Sequence, residues 1–283
     1  MIRAFHYGRY HGKGIVGSTR LRVMQLMKYW PEYQEYRYGE NPDVMVYQKV
    51  YLQPDWRFME HFKGIQILDI CDPDWFEQQA IRQTLDCMDG VITPTESLAD
   101  FIRQMTDKPV RVIPDRHDVE FVPPLKTHTG ALKRAVWFGY SQNIECLRPA
   151  LTPLQQRGIA LTVISNNDPY LKPHGSSELY DYTYQRFDET TILADLARYD
   201  ICVLPTGNRP RDVYKSNNRT TLAQLAGLPV VTDVEGLDAM QAPAARQALA
   251  KKCYDEVIEN YDVKKSVTEM KEFIRELTAN RLK

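Results

Sequence analysis

The sequence predicts an α/β protein made of two Rossmann-like, doubly wound parallel-sheet domains. Three observations carry this reading. Short apolar runs alternate with amphipathic segments from end to end, the pattern of parallel strands joined by helices. Polar clusters sit at the ends of the apolar runs, where open parallel sheets bind their ligands. The alternation breaks between Phe121 and Arg134, where Pro123-Pro124 forces an extended, helix-free path, and then restarts. At 283 residues the chain suits two domains of ordinary size.

In the first half, Ile2–Gly8 reads as a strand, followed by a glycine-bearing loop to Arg20 and a helix whose Leu21, Met24, Leu26 and Met27 share one apolar face. Val44–Lys49, Ile65–Ile70, Gly90–Pro94 and Val110–Pro114 are further strands. Helices are expected over Asp74–Met88 and Thr95–Met105, the second opened by Thr95 with Glu96 in its first turn. After the break, Ala135–Gly139, Ala160–Ser165, Ile201–Pro205 and Pro229–Asp233 are strands, with Leu179–Phe187 a fifth. Helices fill the gaps, among them Thr190–Tyr199 and Asn218–Ala226, and the tail from Ala244 is helical and charged. The expected divisions are an N-terminal domain over 1–122, a linker over 123–133, a C-terminal domain over 134–260, and a helix over 261–283 that can pack back on the N-terminal domain.

Composition narrows the function. Hydrophobic residues at 43% and charged residues at 26% give the balance of a globular enzyme rather than of a disordered or fibrous chain. With 36 basic against 37 acidic residues, the overall charge announces neither a nucleic-acid nor a membrane partner. The distribution is less even: Arg3, Arg9, Lys13, Arg20, Arg22 and Lys28 all precede the first acidic residue, Glu32, so this end is expected to meet an anion. Five cysteines without a Cys-x-x-Cys pair or a zinc spacing read as reduced thiols. Neither an apolar leader nor a run of about 18 apolar residues is visible, and a cytoplasmic location is expected.

Four polar clusters fall on predicted strand ends: the loop Gly12–Arg20, "DICDPDW" from Asp69, "YSQN" from Tyr140, and "GNRPRDVYKSNN" from Gly207. The last opens the helix of "KSNNRTTLAQLAGLPVV", placing Lys215, Ser216, Asn217, Asn218 and Arg219 where the first N–H groups are unpaired and the helix dipole is positive. That chemistry holds phosphate. The same residues also serve capping, with Ser216 or Asn217 as N-cap and Gly227 as the stop. The convergence of four clusters favours phosphate. In the acidic cluster, Asp72 or Asp74 can cap the following helix, or Asp72 can accept from a ligand hydroxyl as a general base.

These segments resemble the GT-B glycosyltransferases, specifically the retaining type grouped as family 4, in a small bacterial or phage-like form. "VITPTESLADFIRQMTDKPVRVIPDRHDVE" is similar to the end of the family's N-terminal domain. "AVWFGYSQN" resembles the opening of its donor domain, and "YDICVLPTGN" with "YKSNNRTTLAQLAGLPVV" resembles its nucleotide-sugar segment. "DICDPDWF" looks like the acidic segment of one bacterial and phage-associated subgroup. The resemblance implies two Rossmann-like domains facing across a cleft, the first on the acceptor side and the second binding the nucleotide sugar. It implies transfer of a sugar from that donor to a hydroxyl acceptor with retention. Lys215, Arg20 and Asp72 would be catalytic, with Lys215 and Arg219 neutralising the diphosphate and Arg20 and Arg22 approaching from the first domain. Gly17, Ser18, Ser141, Asn143, Ser216, Asn217 and Asn218 would complete the donor site, with Asp69 and His117 on the acceptor side. The nucleotide sugar is a co-substrate, and no cofactor or metal is required. One departure stands out: the positions where the family carries two glutamates eight residues apart are Tyr214 and Leu222. Two other readings stay open: a transferase acting on DNA with hydroxymethylated bases, and a non-catalytic module binding sugar nucleotides or glycans.

Overall fold

The structure is a computed structural model that describes residues 1–10, 12, 14–51, 56–73, 81–170, 180–207 and 209–282, without the side chains of residues 56 and 57. His11, Lys13, Asp74, the start of the expected Asp74–Met88 helix, Leu179 and Asn208 lie outside the described residues. The chain forms two compact units. One comprises Met1–Asp118, Pro210–Ser216 and Tyr261–Lys283, the other Val119–Arg209 and Asn217–Asn260.

In the first unit the elements run β1 (Ile2–His6), α1 (Tyr7–Tyr10), α2 (Gly17–Thr19), a π-helical turn (Arg20–Met24), α3 (Gln25–Tyr29), β2 (Tyr33–Glu35), β3 (Val44–Gln48), α4 (Trp56–His61), β4 (Ile65–Asp69), α5 (Ile81–Asp86), β5 (Gly90–Thr93), α6 (Glu96–Arg103) and β6 (Val110–Val112). The six strands form one parallel sheet in the order β2-β1-β3-β4-β5-β6. Side chains alternate across it as the strand period requires: Val44 and Val46 enter one apolar cluster, Met45 and Tyr47 the other. Both faces are covered, so the strand sequences read as near-continuous apolar runs. Thr95 caps α6 as expected, its hydroxyl accepting from the Leu98 N–H at 3.2 Å.

The second unit runs β7 (Arg134–Gly139), a 3₁₀ turn (Ser141–Leu147), α7 (Arg148–Gln156), β8 (Ala160–Ser165), β9 (Thr183–Arg186), α8 (Ile192–Leu196), β10 (Ile201–Val203), α9 (Asn218–Leu225), β11 (Val230–Val231), α10 (Val234–Ala239) and α11 (Pro243–Asn260). Its sheet is parallel, in the order β11-β10-β7-β8-β9. Gly227 ends α9 at φ 73°: its N–H donates to the Gln224 carbonyl at 2.9 Å and the Leu228 N–H to that of Ala223 at 3.0 Å, a Schellman close. Residues 123–128 lie over this turn. Tyr254 donates to the Pro123 carbonyl at 3.0 Å, and His128 Nε2 meets the Gly227 carbonyl at 2.8 Å. A Cβ at Gly227 would stand 3.2 Å from Leu125 and Lys126, which would have to yield by a few tenths of an ångström.

After α11 the chain returns to the first unit as α12 (Val263–Arg281). Its Val263, Val267, Met270, Phe273 and Leu277 join the cluster of Ala4, Val44, Ile65 and Ile92. Asp262 opens the helix, its side chain accepting from the Lys264 N–H. Among the described residues no helix is long and apolar enough to cross a membrane, and all five cysteines are free thiols.

Candidate functional site

In the second unit, candidate residues gather at the carboxyl ends of β7 and β10. Arg219, in the first turn of α9, lies over the Trp137 ring at 5.8 Å from its centroid, and its Nη1 donates to the Phe138 carbonyl at 3.3 Å. The packing needs Gly139. Its φ of 153° suits glycine, and a Cβ would stand 3.1 Å from Arg219 Nη1 and 3.2 Å from the Trp137 ring. In the following turn, the Ser141 N–H donates to Asn166 Oδ1 at 2.9 Å and Asn143 Oδ1 accepts from Arg209 Nη2 at 3.2 Å. Arg209 and Arg219 therefore both contact the stretch from Phe138 to Asn143. Sequence reasoning missed Arg209, although its place four residues past the Pro205 end of a predicted strand was a usable signal. Asn217 occupies the N-cap position of α9, but its side chain makes no cap hydrogen bond. Beside β10 and β11 a cavity of about 290 Å³ is lined by residues such as Cys146, Pro149, Val203, Pro205 and Leu237, with no lysine or arginine, so it does not suit a diphosphate.

The first unit carries its candidates at the ends of β1, β3 and β4. Gly17 and Ser18 open α2, and Arg20 begins the π-helical turn, a geometry common at functional sites. Thr19 is fully buried and donates to Gln48 Oε1 at 2.9 Å. Lys49, just past β3, has the left-handed φ of 58°, unusual for a residue with a side chain. Its Nζ lies 3.0 Å from Asp72 Oδ2 and 5.4 Å from the Tyr7 ring centroid, while Tyr51 donates to the Asp72 carbonyl at 3.0 Å. Asp72 stays 34% exposed within this frame. Lys49 carried no signal in the sequence, because nothing about a lysine announces a left-handed backbone.

Several expectations are corrected. Asp69, placed on the acceptor side, is fully buried and receives the Arg22 Nε at 2.7 and 2.9 Å. Burial pushes its pKa up to about 6 against the pull of Arg22. Arg22, one of the run expected to meet an anion, is buried among carboxylates instead: its Nη1 donates to Asp115 Oδ1 at 2.7 Å and the Ile113 carbonyl at 3.0 Å. Burial opposes its charge, but Asp69 and Asp115 outweigh that and hold its pKa above the usual value. The basic run is opposed in space. Arg3 pairs with Glu40 at 2.8 Å, Arg9 lies 4.0 Å from Glu35, and Lys28 pairs with Asp118 at 47% and 21% exposure. His117 is buried, its N–H donating to the Tyr261 carbonyl and its carbonyl accepting from the Val263 N–H, both at 2.9 Å.

The nucleotide-sugar segment is divided. Lys215 and Ser216 belong to the first unit rather than to the domain expected over 134–260. Lys215 Nζ lies 3.1 Å from Asp212, and Ser216 does not cap α9 but donates its hydroxyl to Asp115 Oδ2 at 2.6 Å. Of the two positions that depart from the family pattern, Tyr214 lies tilted against Phe101, ring centroids 5.3 Å apart, in the first unit, and Leu222 packs against the second unit's core. Among the described residues no cluster of three His, Cys, Asp or Glu side chains could hold a metal ion.

No family model matches the chain, and no curated protein matches it. Solved structures do. HepE from Anabaena, in complex with UDP and glucose, superposes with a TM-score of 0.68 at 10% identity over 97% of this chain and 99% of its own. The T4 phage BGT with its UDP-glucose substrate gives 0.60 at 9% identity, over 97% and 98%. TarM from S. aureus, in complex with UDP and other ligands, gives 0.60 at 12% identity over 82% of this chain. The chain spans about half the length of the TarM structures it matches, 55% and 54%. At such identities the likeness is one of fold, and that fold is the parallel-sheet, two-unit α/β architecture of GT-B proteins.

Proposed function

We propose that the protein is a glycosyltransferase that moves a sugar from a nucleotide-sugar donor to a hydroxyl acceptor. The observation that carries this is in the second unit, where Arg219 and Arg209 meet the strand-end stretch from Phe138 to Asn143 at the start of α9. Guanidinium groups, a helix start and a glycine that lets them approach are the parts an anionic leaving group needs. As the glycosyl–phosphate bond breaks, negative charge builds on the diphosphate, and fixed cations lower the barrier. Arg219 supplies one, and Lys215, four residues earlier, keeps the role its place in the motif gives it. In this reading the protein's own cations do the work a metal would do.

The ribose is held without the family's usual carboxylate, since Leu222 points to apolar core. Asp72, framed by Lys49, is the acceptor-side carboxylate. The acceptor is a carbohydrate or other small hydroxyl compound rather than DNA, because the basic N-terminal run is largely matched by Glu35, Glu40, Asp69, Asp115 and Asp118. Retention at the anomeric carbon is the outcome the family resemblance favours.

The test is donor turnover. A panel of nucleotide sugars should contain one that raises the thermal midpoint, since a ligand bound only by the folded state stabilises it. With that donor, Lys215→Ala should lower turnover by at least about 100-fold, the effect of removing one preorganised charge contact. Folding should change little, because the side chain is 28% exposed and pairs only locally. Near-normal transfer by the variant would end the assignment of Lys215, and a protein that binds and hydrolyses no nucleotide sugar would end the proposal.

A further inference from the structure

The first unit contains a buried ion cluster that no step above uses. Asp69, Arg22 and Asp115 are 0%, 5% and 3% exposed. Their residues come from the end of β4, the π-helical turn after β1 and the segment after β6, all at the carboxyl edge of the sheet. Two carboxylates share the Arg22 guanidinium. Desolvating such groups costs more than a packed apolar core would, so ion clusters of this kind are weak evidence for stability and are better attested where they fix register. The fourth member shows which register is fixed: Ser216 Oγ donates to the Asp115 oxygen that Arg22 does not hold, at 2.6 Å.

We infer that the Asp69–Arg22–Asp115 cluster positions the Lys215–Ser216 segment, with Asp115 as the acceptor that locks Ser216 and so orients its neighbour Lys215. Ser216 is then a positioning residue and not a ligand of the donor. Its one hydroxyl hydrogen is already given to a carboxylate, and a carboxylate 2.6 Å away is a poor neighbour for phosphate. The rest of the segment has its own anchors. Thr95 Oγ1 donates to the Tyr214 carbonyl at 3.1 Å, and the Tyr214 ring packs near Phe101. Loss of the Ser216 contact therefore leaves the segment attached through Tyr214 and through the pairing of Lys215 with Asp212, and loosens only the end that sets the orientation of Lys215. The inference rests on the proposed role of Lys215 at the leaving group.

Three variants of the full chain test it: Ser216→Ala, Ser216→Thr and Asp115→Asn. Two readouts are needed: steady-state kinetics with the nucleotide sugar, and the rate at which an N-hydroxysuccinimide ester acylates Lys215 relative to Lys251, by peptide mass spectrometry. Ser216→Ala should lower kcat about 10-fold, the scale of one charge-assisted hydrogen bond, with donor KM little changed, and should raise the relative acylation of Lys215. Ser216→Thr, which keeps the hydroxyl, should recover most of the kcat. Asp115→Asn should resemble Ser216→Ala in Lys215 reactivity; if it fails to fold, the two Ser216 variants decide. Unchanged Lys215 reactivity in Ser216→Ala overturns the inference. A raised donor KM with unchanged kcat overturns it too, by making Ser216 a donor ligand. If the wild-type protein turns over no nucleotide sugar, the proposed function fails, while the acylation rates still decide whether Ser216 holds Lys215.

Discussion

A carboxyl group buried beside a single guanidinium that it shares with another carboxylate has a measurable consequence. Asp69 titrates near 6 in the folded protein and near the ordinary carboxylate value of about 4 when unfolded. A carboxyl whose folded pKa is raised binds its proton more tightly in the native state, so its contribution to stability is greatest below about pH 4 and declines as the pH rises to about 6. Relative to Asp69→Asn, the wild-type protein should lose unfolding free energy between those limits and hold a constant difference above them. Denaturant titrations at intervals from pH 4 to 7.5 would show this, and a difference flat with pH would mean that Arg22 keeps Asp69 ionised throughout. The half-buried carboxylate Asp72 calls for a kinetic test. Asp72→Asn should raise acceptor KM by about 10-fold, the loss of one hydrogen bond to a charged group, while donor affinity holds. Unaltered acceptor kinetics would make Asp72 a partner of Lys49 and nothing more.

The elements were the most legible part of the sequence, and the reasons are local. Thr95 followed by Glu96, and Gly227 after an apolar helix, are signals written in consecutive residues, and both act as they read. The edge strand Tyr33–Glu35 was missed because three residues give no period to detect. The pairing of Arg22 with Asp69 and Asp115 was missed for a different reason: the partners are separated by 47 and 93 positions, and no local pattern announces a contact of that range. Solvent exposure is the natural default for an arginine in a basic run, and only the fold overturns it. Gly227 offers a test at this scale. Gly227→Ala meets both a left-handed φ and the overlying residues Leu125 and Lys126, so it should cost about 1–3 kcal/mol. A shift of the denaturant midpoint with an unchanged slope would register this. An alanine variant as stable as wild type would show that the strap over 123–128 yields easily.

For the whole molecule, the sequence divides at the Pro123-Pro124 stretch, whereas the units in space divide at Asp118, Arg209, Ser216 and Asn260. A linker can be read from composition, but a chain that leaves a unit and returns to it cannot, since each return is decided by side chains far apart in sequence. The final return is the largest. Val263, Val267, Met270, Phe273 and Leu277 of α12 are all buried in the first unit's core. At about 2 kcal/mol for each buried side chain they contribute on the order of 10 kcal/mol, as much as the whole stability of an ordinary domain. The approach is close as well, for a Cβ on Gly90 would stand 2.7 Å from the Phe273 ring and 2.9 Å from Leu277. A chain stopped after Asn260 should therefore leave the first unit unfolded while the second, whose core takes nothing from α12, keeps its structure. Urea unfolding would reveal this as a slope well below that of the full chain, because the slope follows the surface newly exposed, and less remains folded to expose it. Limited proteolysis should then cut within 1–118 and at 210–216, which belongs to the first unit, and spare the remainder of 134–260. If the shortened chain keeps the full slope and resists cleavage in both regions, the first unit folds without its C-terminal helix, and α12 is an addition to a finished domain.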